Sequence, residues 1–205
     1  MTKVCLVIGA GAGIGGNVGK RFAKDGYHVV LCRRSDEEGL QKLVDEIKAE
    51  GGKASGYMLD AVKEGTIEER VEAIEAEIGP IEVVLYNLGA QIGNRKLGDL
   101  TPKIFELGWR MGTFGLFRLA SVLAPRMEER GRGTILVTSA TASVRGNAQQ
   151  HSHAAAMGGR RMLCQSLNAE LGPKGIHVAH IIVCLLYTSD AADDMQCVDL
   201  GGRRI

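Results

Sequence analysis

The chain has 205 residues, 45% of them hydrophobic and 24% charged, a balance that supports a sizeable core and excludes a largely disordered polypeptide. The formal net charge is +1 with no long run of one sign, which argues against nucleic acid as the main partner, because that footprint needs clustered Lys and Arg. No apolar run approaches membrane-spanning length, the first residues enter a strand-like segment rather than a signal peptide, and Cys5, Cys32, Cys164, Cys184 and Cys197 form no CxxC pattern; the expectation is a reduced, cytoplasmic protein with no membrane span and no metal site.

Short apolar runs alternate with longer amphipathic ones. VCLVI (4–8) precedes a helix-like stretch from about Ile14 to Asp25. HVVLC (28–32) precedes 36–50, where Leu40, Leu43, Val44 and Ile47 mark one helical face. A weak strand near 53–59 leads to 66–78, with Ile67, Val71, Ile74 and Ile78 at helical spacing. IEVVLYN (81–87) precedes a long helical region over roughly 101–129, TILVTS (134–139) precedes 153–171, and IHVAHIIV (176–183) closes the pattern. Gly79-Pro80 and Gly172-Pro173 fall between a helix and the next strand, where a helix terminus belongs. Repeated strand–helix alternation with strands apolar on both sides predicts an α/β fold, a Rossmann-type doubly wound parallel sheet in the order 3-2-1-4-5-6, ending after its sixth strand.

The first strand runs into GAGAGIGG, 9–16, and then into a helix. Glycines let the backbone turn tightly and approach a pyrophosphate, whose charge the helix N-terminus favours. With a strand before it, a helix after it and a second strand about a dozen residues on, this predicts a dinucleotide site, with Gly9, Gly13, Ile14 and Gly15 as candidate contacts. The spacing Gly9-x-x-x-Gly13-x-Gly15 resembles the TGxxxGxG loop of the short-chain dehydrogenases/reductases, with Ile8 in place of the usual threonine. Asn87-Leu88-Gly89-Ala90 resembles that family's NNAG, Asp60 its adenine-contacting aspartate, and GPKGIHVAHI its entry to the sixth strand. The resemblance spans about residues 3–183 and implies that Asp60, Asn87 and Gly89 also belong to the cofactor site.

The end of the second strand carries Cys32-Arg33-Arg34. An acidic residue there would accept from a free ribose 2′-hydroxyl, whereas a guanidinium suits a 2′-phosphate. With no carboxylate expected nearby to repel a phosphate, Arg33 and Arg34 favour NADP(H), NAD(H) being the alternative. Two solvated loop arginines would be the bland reading.

The family resemblance implies a Tyr-x-x-x-Lys pair, in which the lysine lowers a phenol pKa from about 10 and grips the nicotinamide ribose. It also implies a serine that orients the carbonyl and an asparagine that helps hold a relay water. In HSHAAAMGGRRM (151–162) one register places His153 and Met157 at the tyrosine and lysine positions, and another, counted from Ser139, places Ser152 and Ala156 there. Neither restores the pair. Gly112 stands at the asparagine position, and Ser139 is the surviving candidate, with Ala140 the alternative occupant of that slot. His153 is chemically competent for proton transfer, while His151 and Ser152 read as loop or capping residues.

Two functions follow. One is an oxidoreductase that moves a hydride between NADP(H) and a small carbonyl or alcohol, with degenerate catalytic residues and little turnover in this chain. The other is a catalytically inactive dinucleotide-binding protein serving as sensor, scaffold or oligomer partner. The parent protein is expected to be a homo-oligomer. Residues 184–205 resemble the translation of a transposon-type sequencing-library adapter, in frame on both sides of a gap the length of a sample index, so the domain is taken as 1–183 and the remainder as a non-native tail.

Overall fold

In the computed structural model, residues 2–90 and 92–183 are described; the segment 184–205, which carries the adapter resemblance, lies outside them. Strand β1 (Val4–Ile8) is buried along its whole length, and its side chains divide between two cores. Val4, Leu6 and Ile8 enter one, Cys5 and Val7 the other. Strand β2 (His28–Arg33) does the same, Val30 and Cys32 against Val29 and Leu31. Alternate side chains of a strand point to opposite faces, so a strand apolar at every position must be covered on both.

Strands β3 (Lys53–Met58), β4 (Ile81–Tyr86), β5 (Gly133–Ala140) and β6 (Ile176–Val183) complete one parallel sheet in the order β3-β2-β1-β4-β5-β6. Helices α1 (Ile14–Lys24) and α2 (Glu37–Ala49) cover one face through Ala23, Leu40, Leu43, Val44 and Ile47. Helices α3 (Thr66–Glu77), α5 (Gly115–Arg130) and α6 (His151–Leu171) cover the other through Ile67, Val71, Leu119, Leu123 and Cys164. Strand β3 reads weakly in sequence because it lies at the sheet edge, with Lys53 and Met58 exposed. Among the described residues no helix is long and apolar enough to cross a membrane.

The long helical region expected over 101–129 is α4 (Pro102–Trp109), a π-helical turn (Arg110–Phe114) and α5 in unbroken succession. The π turn loosens the helical hydrogen bonds, and two of its carbonyls are taken from outside: Tyr86 Oη donates to the Met111 carbonyl at 2.5 Å and Arg160 Nε to the Gly112 carbonyl at 2.6 Å. His151 and Ser152 lie within α6 rather than ahead of it, and the cap is Gln150. Gly172 is the C-cap of α6, as its place before Pro173 suggests, and the left-handed residue before β6 is Gly175 (φ +82°).

Candidate functional site

The order reverses between β1 and β4, and a crevice opens there at the C-terminal ends of the strands, the place where ligands bind in doubly wound sheets. Gly9 leaves β1 with φ +97°, and its N–H, like that of Ala10, donates to the Cys32 carbonyl at 2.9 Å. A Cβ on Gly15 would lie 2.3 Å from the Gly9 carbonyl oxygen, so glycine is what lets α1 start against the loop. Gly11 and Gly13 differ: a Cβ on either would meet nothing within 4 Å. Helix α1 begins with no side-chain cap and no acidic residue in its first turn. An uncapped, positively polarised N-terminus beside an open glycine surface fits a pyrophosphate.

Asn87 ties this loop to the rest of the sheet. Its Nδ2 donates to the Gly9 carbonyl at 2.9 Å, and its Oδ1 accepts from Thr138 Oγ1 at 2.7 Å. Both ends of the amide are engaged, so Asn87 acts as a strut between β1 and β5. Beyond Gly9 and Gly11 the crevice wall continues through Arg33, Arg34, Asp60 and Gly89. Asp60 Oδ1 accepts from the Val62 N–H at 3.1 Å. The expectation that no carboxylate faces the arginines is corrected: Arg33 Nη2 lies 3.0 Å from Asp36 Oδ2, three residues on in the cap of α2.

On the other side of Leu88 and Gly89 the crevice is lined by Ile14, Asn87, Ser139, Ala140, His153 and Met157. His153 and Met157 thus both lie on this wall. Ser152 instead donates to the Phe105 carbonyl of α4 at 2.8 Å. Met157 is buried, with its Sδ 3.6 Å from Ser139 Oγ, and joins Ala90, Ala142 and Ala156 in a small apolar cluster. His153 is 7% exposed; it forms a hydrogen bond to the Ala90 backbone, and its Nδ1 has no partner among the described residues. Burial and then the Arg160 charge hold its pKa below the usual imidazole value, against the Ala90 bond, which raises it.

Sequence reasoning missed Arg160. Its guanidinium is 1% exposed and donates to three carbonyls: Gly112 at 2.6 Å, Thr138 at 2.6 Å and Leu88 at 2.7 Å. It also sits 5.2 Å from the Tyr86 ring centroid. Among the described residues it has no carboxylate partner, and burial lowers its pKa. The available signal was helical spacing, since Arg160 follows Met157 by three residues and His153 by seven, on one face of α6. Among the described residues no group of three His, Cys, Asp or Glu side chains is placed to hold a metal ion.

The comparisons with known proteins agree with this fold. The family profile described as short chain dehydrogenase matches residues 3–196, so the match continues past 183. The chain belongs to the short-chain dehydrogenase/reductase family. A short-chain dehydrogenase from Rhodopseudomonas palustris is 38% identical in sequence and superposes with a TM-score of 0.83 over 88% of this chain and 84% of its own. A metagenomic short-chain oxidoreductase solved in complex with NADP is 26% identical, with a TM-score of 0.82 over 88% of this chain and 81% of its own. A 7 alpha-hydroxysteroid dehydrogenase complexed with NADH and 7-oxo glycochenodeoxycholic acid is 28% identical, with a TM-score of 0.82 over 88% of this chain and 69% of its own.

Proposed function

We propose that the protein is an NADP(H)-dependent oxidoreductase that transfers a hydride between the cofactor and a small alcohol or carbonyl compound, slowly, with His153 as its proton-transfer group. The observation that carries this reading is the pair of adjoining hollows that share Leu88 and Gly89, one lined by Gly9, Gly11 and the two arginines and the other by Ser139 and His153. The bound dinucleotide supplies the hydride acceptor or donor. Gly13, Ile14 and Gly15 offer first-turn N–H groups to its pyrophosphate, and Asp60 and Gly89 line its adenosine side. Ser139 Oγ hydrogen-bonds the substrate oxygen.

His153 favours the oxidising direction near neutral pH. Its lowered pKa keeps the imidazole neutral, and a neutral ring is a competent base but a poor acid. The ring nitrogen not bonded to Ala90, Nδ1, is buried without a partner among the described residues, so it meets an alcohol only once the ring turns toward the crevice. The neutral imidazole then removes the alcohol proton as the C–H hydride departs to the dinucleotide, and the reverse reaction returns that proton from imidazolium. Met157 brings no charge to the site, so turnover should fall about 10²–10⁴-fold below that of a site with a tuned phenol.

A second reading, dinucleotide binding without turnover, is favoured by the Met157 thioether packed on Ser139 Oγ. Titrating the chain with NADPH beside turnover on a panel of alcohols and carbonyls separates the two. Binding with slow turnover abolished by His153→Ala supports the proposal; binding without turnover supports the second reading; no binding overturns both. The same proposal includes a homo-oligomer, supported by the stacked Trp109, Phe114 and Phe117 rings of α4, the π turn and α5, and a cytoplasmic setting, supported by the buried free thiols of Cys5, Cys32 and Cys164. It also keeps 184–205 as a non-native tail, which amplification of the gene from its source DNA would test.

A further inference from the structure

The exit of β2 carries a charge arrangement that the two arginines alone do not reveal. Asp36 adopts a left-handed backbone (φ 64°, ψ 69°), uncommon for a residue with a side chain, and such a conformation persists only where its surroundings hold it. Two interactions hold it. Oδ1 accepts from the Gly39 N–H at 2.9 Å, which caps α2, and Oδ2 pairs with Arg33 Nη2 at 3.0 Å. Gly39 makes room for both, since a Cβ there would lie 2.3 Å from Asp36 Oδ2 and 3.0 Å from Arg33 Nη1. Arg33 is the more covered partner, with 21% of its side chain exposed against 57% for Asp36. Arg34 makes no ion pair with any described residue and lines the same stretch of crevice.

We propose that Asp36 is a specificity-determining residue that restrains the preference for a 2′-phosphate: it neutralises Arg33 and leaves Arg34 as the guanidinium that reads the phosphate. This rests on the cofactor reading above. The net charge facing a 2′-phosphate is then close to one positive charge rather than two, with a carboxylate near enough to oppose the phosphate directly. The cap alone does not account for the arrangement, because capping uses Oδ1 and the ion pair uses Oδ2.

Asp36→Asn separates these roles. Asparagine caps as well as aspartate and tolerates the left-handed region, so α2 stays capped while the charge is removed. Its release of Arg33 should tighten NADPH binding about three- to fivefold, the scale of one exposed ion pair, and change NADH binding by less than about twofold. Arg34→Ala should weaken NADPH more than Arg33→Ala in the natural background. In the Asp36→Asn background the cost of Arg33→Ala should rise, a coupling that a double-mutant cycle measures. Asp36→Ser, which also caps, should repeat the shift should the asparagine variant melt early.

An unchanged NADPH-to-NADH affinity ratio in Asp36→Asn and Asp36→Ser overturns the inference while leaving the cofactor reading intact. A selective loss of NADH affinity also overturns it, because Asp36 would then be accepting from the ribose hydroxyl. A natural chain that binds neither dinucleotide removes the cofactor reading itself, and this inference with it.

Discussion

The two ends of the crevice are built on different principles. The end around Gly9 and Gly15 is formed by backbone: a carbonyl 2.3 Å from where a Cβ would sit, an uncapped helix start, and an asparagine strut. The end around Ser139 and His153 is formed by side chains from β5 and α6, held over the π turn by one buried guanidinium. A backbone site tolerates change only where a side chain has room, whereas a side-chain site can lose its chemistry and keep its shape. Met157 illustrates the second case. It fills its place in the wall, buried against three alanines, and supplies no charge.

The largest effect should come from Arg160→Met. The substitution removes a buried charge, which by itself relieves a desolvation cost. It also strips donors from the Gly112, Thr138 and Leu88 carbonyls, and an unsatisfied buried carbonyl costs about 1–3 kcal/mol. Three such losses outweigh the relief, so urea unfolding should show a loss of about 3 kcal/mol or more. A variant as stable as the parent would mean that the catalytic end is not held by this clamp, and the contrast between the two ends would fail.

Next in size is Gly15→Ala. Its methyl group meets the backbone of Gly9 and Ala10, which cannot rotate away, so stability should fall by about 1–3 kcal/mol and dinucleotide binding with it. Gly11→Ala sharpens the point. Gly11 is not among the positive-φ glycines and a Cβ there would meet nothing within 4 Å, so the variant's melting temperature should match the parent's. Its NADPH affinity should drop nonetheless, because the added methyl group enters space a pyrophosphate would use. Equal losses of stability in the two variants would refute the distinction between packed and open glycines.

The same contrast explains what was legible in the sequence. Strand order, helix faces and the glycine loop follow from short-range patterns: Val4 to Ile8 apolar throughout, Leu40 to Ile47 at helical spacing, and Gly9 to Gly15 between a strand and a helix. The catalytic end depends on alignments over longer separations. Counting from Ser139 gives Ser152 and the other register gives His153, and only packing tells them apart, with Ser152 on the Phe105 carbonyl and His153 on the crevice wall. Arg160 escaped notice because its partners are carbonyls, which every residue has and no pattern marks. The Asp36 pair escaped because a left-handed aspartate at a helix start brings its carboxylate back toward the strand it follows.

The smallest predicted effect is a pH dependence that bears on the catalytic end. Burial lowers the pKa of His153, His28 and His180, the last to about 4, with Arg161 and Arg160 adding to the shift. In the unfolded chain all three take up protons as pH falls through about 6.5. The folded chain binds fewer protons between that pH and the lowered values, so stability is fully present above about pH 6.5 and is lost as pH falls below it. Glu46 and Glu68, whose pKa values are lowered by Lys20 and Arg118, lose their contributions only below the ordinary carboxylate value of 4.5. The window between about 4.5 and 6.5 therefore reports on histidines. Urea midpoints should be level from pH 8 to 6.5 and then decline, and His153→Phe should decline less steeply than the parent. An unchanged slope in that variant would show that His153 takes up its proton as freely in the folded chain as in the unfolded one, and the neutral imidazole assigned to the oxidising direction would be lost.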